Sequence, residues 1–328
     1  MRKVKTRKSI KKEDYEDLVY YKLKNSRFKQ QRLPAWRPVP TICSIIVFYL
    51  TFGIIFIGIG IVLLFFSHKI IKLEIPYNYQ CKDEPICSIN PVTVKENMNR
   101  PIMIYYRLDG FFQNHRRYVR SKSQKQLYGD ETTLEEMKDD GDCDPVFTNR
   151  DMGLNSNISI NGEEFDMDDV AIPCGLMAKT YFNDYFRNWT IDNESFTPNE
   201  KDIAWPKDKE LYKNSNKSRQ WVDIEDEHFI VWMRPSGLPN FTKLWGRIDD
   251  RDLEKGQSIS FIVENNYNVS HYGGDKTIIL STTNEFGGKN LFLGTSYIVV
   301  GGISIFLGIA FPLLLYQRNK NEKLKKNL

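Results

Sequence analysis

Nine residues, Gln113–Ser121, set His115, Arg116, Arg117 and Arg120 around Tyr118. Guanidinium groups offer forked donors that match phosphate or carboxylate, and a tyrosine offers a stacking face, so the segment has the chemistry of an anion-binding patch. Nucleic acid, lipid phosphate and the protein's own carboxylates are the partners to weigh, and the choice depends on which side of a membrane the segment lies. Other chemistry is sparse. The four histidines, His68, His115, His228 and His271, stand outside any H-E-x-x-H frame, and G-x-S-x-G, G-x-x-x-x-G-K-[ST] and G-x-G-x-x-G are all missing. The acidic run Glu163–Asp169 lacks the D-x-[DN]-x-[DN]-G frame of a calcium loop and reads as a solvated loop. A glycosidase-type carboxylate pair is assembled by the fold and leaves no spacing to read. The expectation is a chain with no catalytic residue, metal site or cofactor.

Two apolar runs position everything else. Residues 41–66 and 291–316 contain no Asp, Glu, Lys or Arg, and each exceeds the roughly 20 residues that a helix needs to cross a bilayer. Forty mostly polar residues precede the first run, which rules against a cleaved signal peptide and favours an uncleaved anchor. Residues 1–40 hold 13 Lys and Arg against 4 acids, and residues 317–328 hold 5 against 1. By the positive-inside bias both tails are expected in the cytosol. Residues 67–290 carry 28 basic and 37 acidic residues, net −9, so the overall charge of +4 averages opposite parts and is no nucleic-acid signature.

The central segment then lies in the lumen or outside the cell. All six N-glycosylation sequons fall there, at Asn157, Asn188, Asn193, Asn216, Asn240 and Asn268. Four of the five cysteines do too: Cys81, Cys87, Cys143 and Cys174, an even number whose spacing suits disulfides better than zinc. Three connectivities are open. Sequential pairing is the simplest, and the chain-entropy estimate assigns roughly 2.4 kcal/mol to the short loop and roughly 3.7 to the long one.

The apolar segments of this region read as strands: Pro101–Leu108, with Ile102, Ile104, Tyr106 and Leu108 on one face, then His228–Met233, Ile259–Val269 and Lys276–Thr283. Between Leu127 and Lys217 the sequence is acidic and turn-rich, with short helical candidates at Leu134–Asp140 and Lys179–Phe186. The fold class expected is a two-pass membrane protein, its two transmembrane α-helices flanking a mainly antiparallel β, sandwich-like ectodomain with a partly helical insertion.

Both membrane runs carry small residues at helical spacing, Gly53 and Gly60 about Ile57 in the first and Gly301, Ser304 and Gly308 in the second. Small faces let another helix approach closely in lipid. Such faces, in a chain without catalytic motifs, point to a partner protein for something larger. The basic start, Met1–Lys12, suits either topogenesis or anionic lipid, while Trp36 and Pro38, just ahead of the first run, suit an interfacial anchor.

Five blocks carry a resemblance: "FKQQRLPAW" (28–36), "FFQNHRRYVRS" (111–121), "IPCGLMAKTYFND" (172–184), "FIVWMRPSGLPNFTKLWGRI" (229–248) and "GGKNLFLGTSYIVVGG" (287–302). In this order they resemble the cell cycle control protein 50 and ligand-effect modulator family, the accessory beta subunits of lipid flippases. The resemblance implies a non-catalytic subunit that binds a type IV P-type ATPase as a heterodimer. That ATPase moves phospholipid from the exoplasmic to the cytosolic leaflet, and the subunit accompanies it out of the endoplasmic reticulum. It also implies bridges Cys81 to Cys87 and Cys143 to Cys174, contact of the Trp36 block with the ATPase's cytosolic side, and structural or partner contacts at Trp232 and Arg234. The chain departs from the family pattern where Asn183-Asp184-Tyr185 lacks a sequon and where Asn290 precedes the second helix in place of a usual proline. For Arg116 and Arg117 the expectation is ion pairs or backbone hydrogen bonds to the insertion, with contact to the ATPase second and a lipid phosphate third. The alternative of another class is a two-pass adhesion or ligand-binding receptor acting without an ATPase.

Overall fold

The computed structural model describes residues 20–22, 24, 26–31, 41–82, 84–154 and 156–326. Trp36, Pro38 and the basic start Met1–Lys12 lie outside the described residues. Helix α1 (Ile42–His68) has no charged residue before His68, and its 27 residues span about 40 Å. Helix α9 (Leu291–Lys326) is long and apolar enough to cross a membrane over Leu291–Arg318 and continues as helix through the basic segment beyond. These two spans flank a mainly antiparallel β domain, so the chain is a two-pass membrane protein.

The chain divides into two compact units, Met1–Ile57 with Val299–Leu328, and Gly58–Ile298. In the first, a Cβ built on Gly53 would stand 2.9 Å from the Gly301 carbonyl oxygen, and one on Gly301 would stand 2.9 Å from that of Gly53. In the second, Gly60 meets the Gly294 carbonyl oxygen at the same 2.9 Å. Within each unit the pairing is antiparallel, and the glycines recur every seven residues, the spacing of a left-handed helix pair. The small faces at Gly53, Gly60, Gly294 and Gly301 therefore seat this chain's own two helices against each other. Nothing lies within 4 Å of a Cβ on Gly58 or Gly302.

The β domain lies within the second unit. Its first sheet runs β1 (Lys72–Pro76), β9 (Asp275–Thr282), β4 (Ile102–Asp109), β7 (Phe241–Ile248), and all neighbours are antiparallel. Strand β1 follows α1 and β9 precedes α9, so the pairing of Lys72 with Ser281 through Pro76 with Thr277 brings together chain ends some two hundred residues apart. Ile102, Ile104, Tyr106 and Leu108 of β4 alternate into the core, as their spacing requires. The second sheet runs β2 (Ile86–Ser88), β8 (Ser258–Glu264), β5 (Tyr185–Ile191), β6 (Glu194–Phe196), with β3 (Val92–Thr93) also on β8. Aromatic rings join the sheets: Trp245 of β7 meets Phe186 of β5 at 5.2 Å and Trp189 of β5 at 6.0 Å between centres.

Short helices fill the rest: α2 (Arg116–Arg120), α3 (Gln124–Leu127), α4 (Leu134–Asp140), α5 (Asn149–Met152), α6 (Leu176–Lys179), α7 (Pro206–Leu211) and α8 (Glu227–Met233). Helix α4 is the expected one, started by a Thr133/Glu136 capping box and stopped by Gly141 at φ +67. Two expectations fail. His228–Met233, read as a strand, is helix α8: Asp226 accepts the His228 N–H as N-cap, and Phe229, Ile230, Trp232 and Met233 bury one helical face. A short, wholly apolar run has no periodicity to separate the two forms. Lys179–Phe186, read as a helix, leaves the helical path after Lys179 and enters β5 at Tyr185. Phe182 stacks on Tyr106 at 3.9 Å, and Asp184 turns into a buried hydrogen-bond cluster. The insertion is thus not only helical, since β5 and β6 lie inside it.

Candidate functional site

Strand β4 ends at Asp109, and Gly110 turns the chain with φ +84. Four hydrogen bonds then lash residues 110–114 to residues 236–240. Gly110 N–H donates to Asn240 Oδ1 (3.0 Å), Phe111 N–H to the Pro239 carbonyl (3.0 Å), Ser236 N–H to Gln113 Oε1 (2.9 Å), and Asn114 Nδ2 to the Gly237 carbonyl (2.9 Å). Two of the quoted signature blocks are joined here along their length. Gln113 is fully buried, so its amide serves as a fixed post rather than a surface group.

Helix α2 follows. Tyr118 is its buried residue; its hydroxyl lies 2.8 Å from Thr180 Oγ1, and its ring meets Phe111 edge-on at 5.7 Å. Burial pushes the phenol up to about 12. With Tyr118 inward, His115, Arg116, Arg117 and Arg120 are exposed. The ion pairs or backbone hydrogen bonds expected of the Arg116 and Arg117 guanidinium groups are not formed: among the described residues neither side chain makes one. Three carboxylates of the insertion are held by other cations, Asp168 by Arg150 (2.8 Å), Asp169 by Arg219 (2.7 Å) and Asp140 by Lys125 (2.8 Å). Phe112 and Leu238, 60% and 70% exposed, stand on the two lashed loops. This face presents four titratable or cationic side chains and two apolar ones, suited to binding an anionic surface with apolar relief. Sequence reasoning missed Phe112 and Leu238, although an apolar residue between Gly237 and Pro239 in a turn is a legible sign of exposure.

The far end of the segment is tied to the long disulfide. Ser121 Oγ accepts from the Leu176 N–H (2.8 Å) and donates to the Cys143 carbonyl (3.2 Å), while Cys143 bonds Cys174 across 31 residues. A Cβ on Gly175, already at φ +100, would lie 2.2 Å from the Ser121 carbonyl oxygen, so the main chain itself fills that space. Cys81 bonds Cys87, and the Cys81 carbonyl accepts from Asn265 Nδ2 at 2.8 Å.

Beneath the clasp, Trp232 is buried and donates Nε1–H to the Met177 carbonyl at 2.8 Å. Lys243 of β7 closes the end of α8 by donating to the carbonyls of Val231 (3.1 Å), Trp232 (3.2 Å) and Arg234. Burial, helped by the nearby Arg234 cation, pulls Lys243 down to about 7. Arg234 pairs with Asp208 (2.9 Å) and lies over the exposed Trp205 ring at 5.2 Å. A groove of about 470 Å³ runs here, with Trp205, Ile230, Thr242 and Leu244 in its walls.

Deeper still, Lys276 Nζ and the Tyr77 hydroxyl both donate to Asp184 Oδ2 at 2.7 Å, and the Tyr267 N–H donates to Asp184 Oδ1 at 2.6 Å. Burial pulls the Lys276 ammonium down while Asp184 opposes it. Nothing in the spacing of residues 184 and 276 announces this pair. All six sequon asparagines are exposed, and Asn240 Oδ1 also takes part in the clasp. Ser304 is half-buried on α9. Among the described residues, no group of three His, Cys, Asp or Glu could hold a metal ion.

Residues 63–321 match the profile of the LEM3 (ligand-effect modulator 3) family / CDC50 family. ALA-interacting subunit 3 of Arabidopsis thaliana is 36% identical over 324 residues, 89% of this chain and 85% of that protein. Cell cycle control protein 50A of Mus musculus is 34% identical over 341 residues, 88% of each chain. The phospholipid-transporting ATPase accessory subunit CDC50 of Chaetomium thermophilum is 26% identical over 369 residues, 89% of this chain and 86% of that one.

Proposed function

Because the chain belongs to the LEM3/CDC50 family, we propose that it is the non-catalytic accessory subunit of a P-type ATPase that transports phospholipid. The observation that carries this reading is similarity along nine-tenths of the chain to proteins whose names specify an accessory or interacting subunit. The partner is a type IV enzyme, joined as a heterodimer, moving phospholipid from the exoplasmic to the cytosolic leaflet. Both tails are cytosolic, residues 67–290 face the lumen or exterior of the secretory pathway, and the subunit aids folding and export of the ATPase. The clasped face supports the partner role: Arg116, Arg117, Arg120 and His115 are held outward by a buried tyrosine, with no carboxylate among the described residues spent on the arginines. They meet anionic groups on the ATPase's exoplasmic loops, and Phe112 and Leu238 supply apolar contact.

A pull-down of the tagged full chain from gently solubilised native membranes, followed by mass spectrometry, tests the reading. Recovery of a P-type lipid-transporting ATPase near one to one supports it. A glycosylated, exported chain that recovers no such ATPase overturns it. The Arg116→Ala/Arg117→Ala variant tests the face separately: it should fold and leave the endoplasmic reticulum by itself yet lose the ATPase, and undiminished recovery would move the interface elsewhere.

A further inference from the structure

The loop Thr283–Asn290 joins β9 to α9 and is tied to the end of α1. The carbonyl of Phe66, one of the last in α1 and without a helical partner, accepts from Asn284 Nδ2 at 2.9 Å. Ser67 Oγ accepts from the Asn290 N–H at 2.9 Å, and Asn290 Oδ1 accepts the Leu293 N–H at 3.1 Å, capping α9. A proline at position 290 could offer neither bond. Between these ties, Asn284 and Gly287 exchange main-chain hydrogen bonds about a turn in which Gly287 has φ +94. Phe286 stands out from that turn, 59% exposed, its ring 5.1 Å from that of Phe66.

The position of Phe66 sets the depth. The apolar run of α1 ends at Phe66, before Ser67, His68 and Lys69, and that of α9 begins at Leu291. Phe286 therefore lies at the level where hydrocarbon gives way to headgroups, together with Phe65 and Phe292, 57% and 80% exposed. Lys69 Nζ sits 4.4 Å from the centre of the Phe65 ring, and Lys289 is exposed nearby in sequence, with Glu285 the acid of the loop. Exposed aromatics with lysines reaching toward water are the composition of a membrane interface.

We infer that Phe286 is a membrane-inserted wedge: the loop seats its ring among phospholipids of the leaflet on the ectodomain's side, holding the ends of both spans at one depth. Phospholipid is the occupant because the exposed rings continue directly from the two spans. The inference needs neither the ATPase nor the orientation proposed above.

The test uses the full chain with Cys43→Ser and Phe286→Cys, spin-labelled and reconstituted into phosphatidylcholine and phosphatidylserine vesicles. Paramagnetic resonance then compares collisions with oxygen and with a polar nickel chelate. A label at 286 should favour oxygen over nickel several-fold more than one placed by Tyr79→Cys, a site 77% exposed in the ectodomain. Equal access of nickel at the two sites overturns insertion. Shielding from both reagents overturns lipid as the occupant and indicates cover by protein. The unsubstituted chain gives a second readout: a phospholipid with a diazirine near the head of its acyl chain should label peptides covering 283–290, and adducts confined to α1 and α9 would also overturn the wedge.

Discussion

Replacing Lys276 with methionine removes one partner of a buried ion pair while keeping most of the side-chain volume. Lys276 and Asp184 have side chains 1% and 0% exposed, and the ammonium donates to Asp184 Oδ2, Asn265 Oδ1 and the Tyr267 carbonyl. Without it, Asp184 keeps only the Tyr77 hydroxyl and the Tyr267 N–H as donors to a buried charge. Breaking such a pair from one side costs about 3–5 kcal/mol. At about 2–4 °C per kcal/mol for a domain of this size, the midpoint should fall by about 6–20 °C. The assay is thermal unfolding of the full chain in detergent, followed through the emission of its buried tryptophans. Adding Asp184→Asn removes the orphaned charge, so the double variant should lose at least about 1 kcal/mol less than the sum of the singles. A Lys276→Met midpoint within about 2 °C of the parent, or additive singles, would refute the assignment of this pair.

Four further outcomes follow from the same geometry. Gly301→Ala should weaken the helix pair, because its Cβ would meet a carbonyl oxygen at 2.9 Å, whereas Gly302→Ala, with open space, should leave detergent stability unchanged. Cys143→Ser opens the 31-residue link and should cost about 3.7 kcal/mol, against about 2.4 for Cys81→Ser, read in the same unfolding assay. Lys243 titrates near 7 when folded, below its unfolded value, so between about pH 7 and 10 the unfolded chain binds the extra proton and this residue makes stability rise with pH. Denaturation free energies measured across that window should flatten in Lys243→Met. Tyr118→Phe, which keeps the ring but loses the bond to Thr180, should cost about 1 kcal/mol in the same unfolding assay.

Much of the chain was legible because its signals are local. An uninterrupted apolar run leaves no choice but lipid or deep burial, and strict alternation at Ile102, Ile104, Tyr106 and Leu108 matches a strand with one buried face. Capping at Thr133 and Glu136 marked α4 for the same reason. The misreadings fell where local signals are silent or are overruled by tertiary contacts. His228–Met233 is apolar without a period, and the form it takes rests on the Asp226 cap and the carbonyls closed by Lys243. Phe182 and Asp184 were drawn out of a helical pattern by Tyr106 and Lys276.

The candidate site divides in the same way. Residue types along Gln113–Ser121 showed that cations cluster there, but whether those cations are spent inside the protein is a question of distance. Only the fold, by turning Tyr118 inward and assigning Asp168, Asp169 and Asp140 to other partners, left Arg116 and Arg117 at the surface. The small-residue faces carry the same lesson, since a glycine stripe states that something can approach and the antiparallel pairing of Gly53 with Gly301 states what does. By itself the sequence determined the two spans, the disulfide-forming, sequon-bearing segment between them and the family. Tertiary structure decided which helix fills each groove, which carboxylate meets each cation and which side chains remain for a partner, because those contacts join residues whose separation along the chain carries no information about their separation in space.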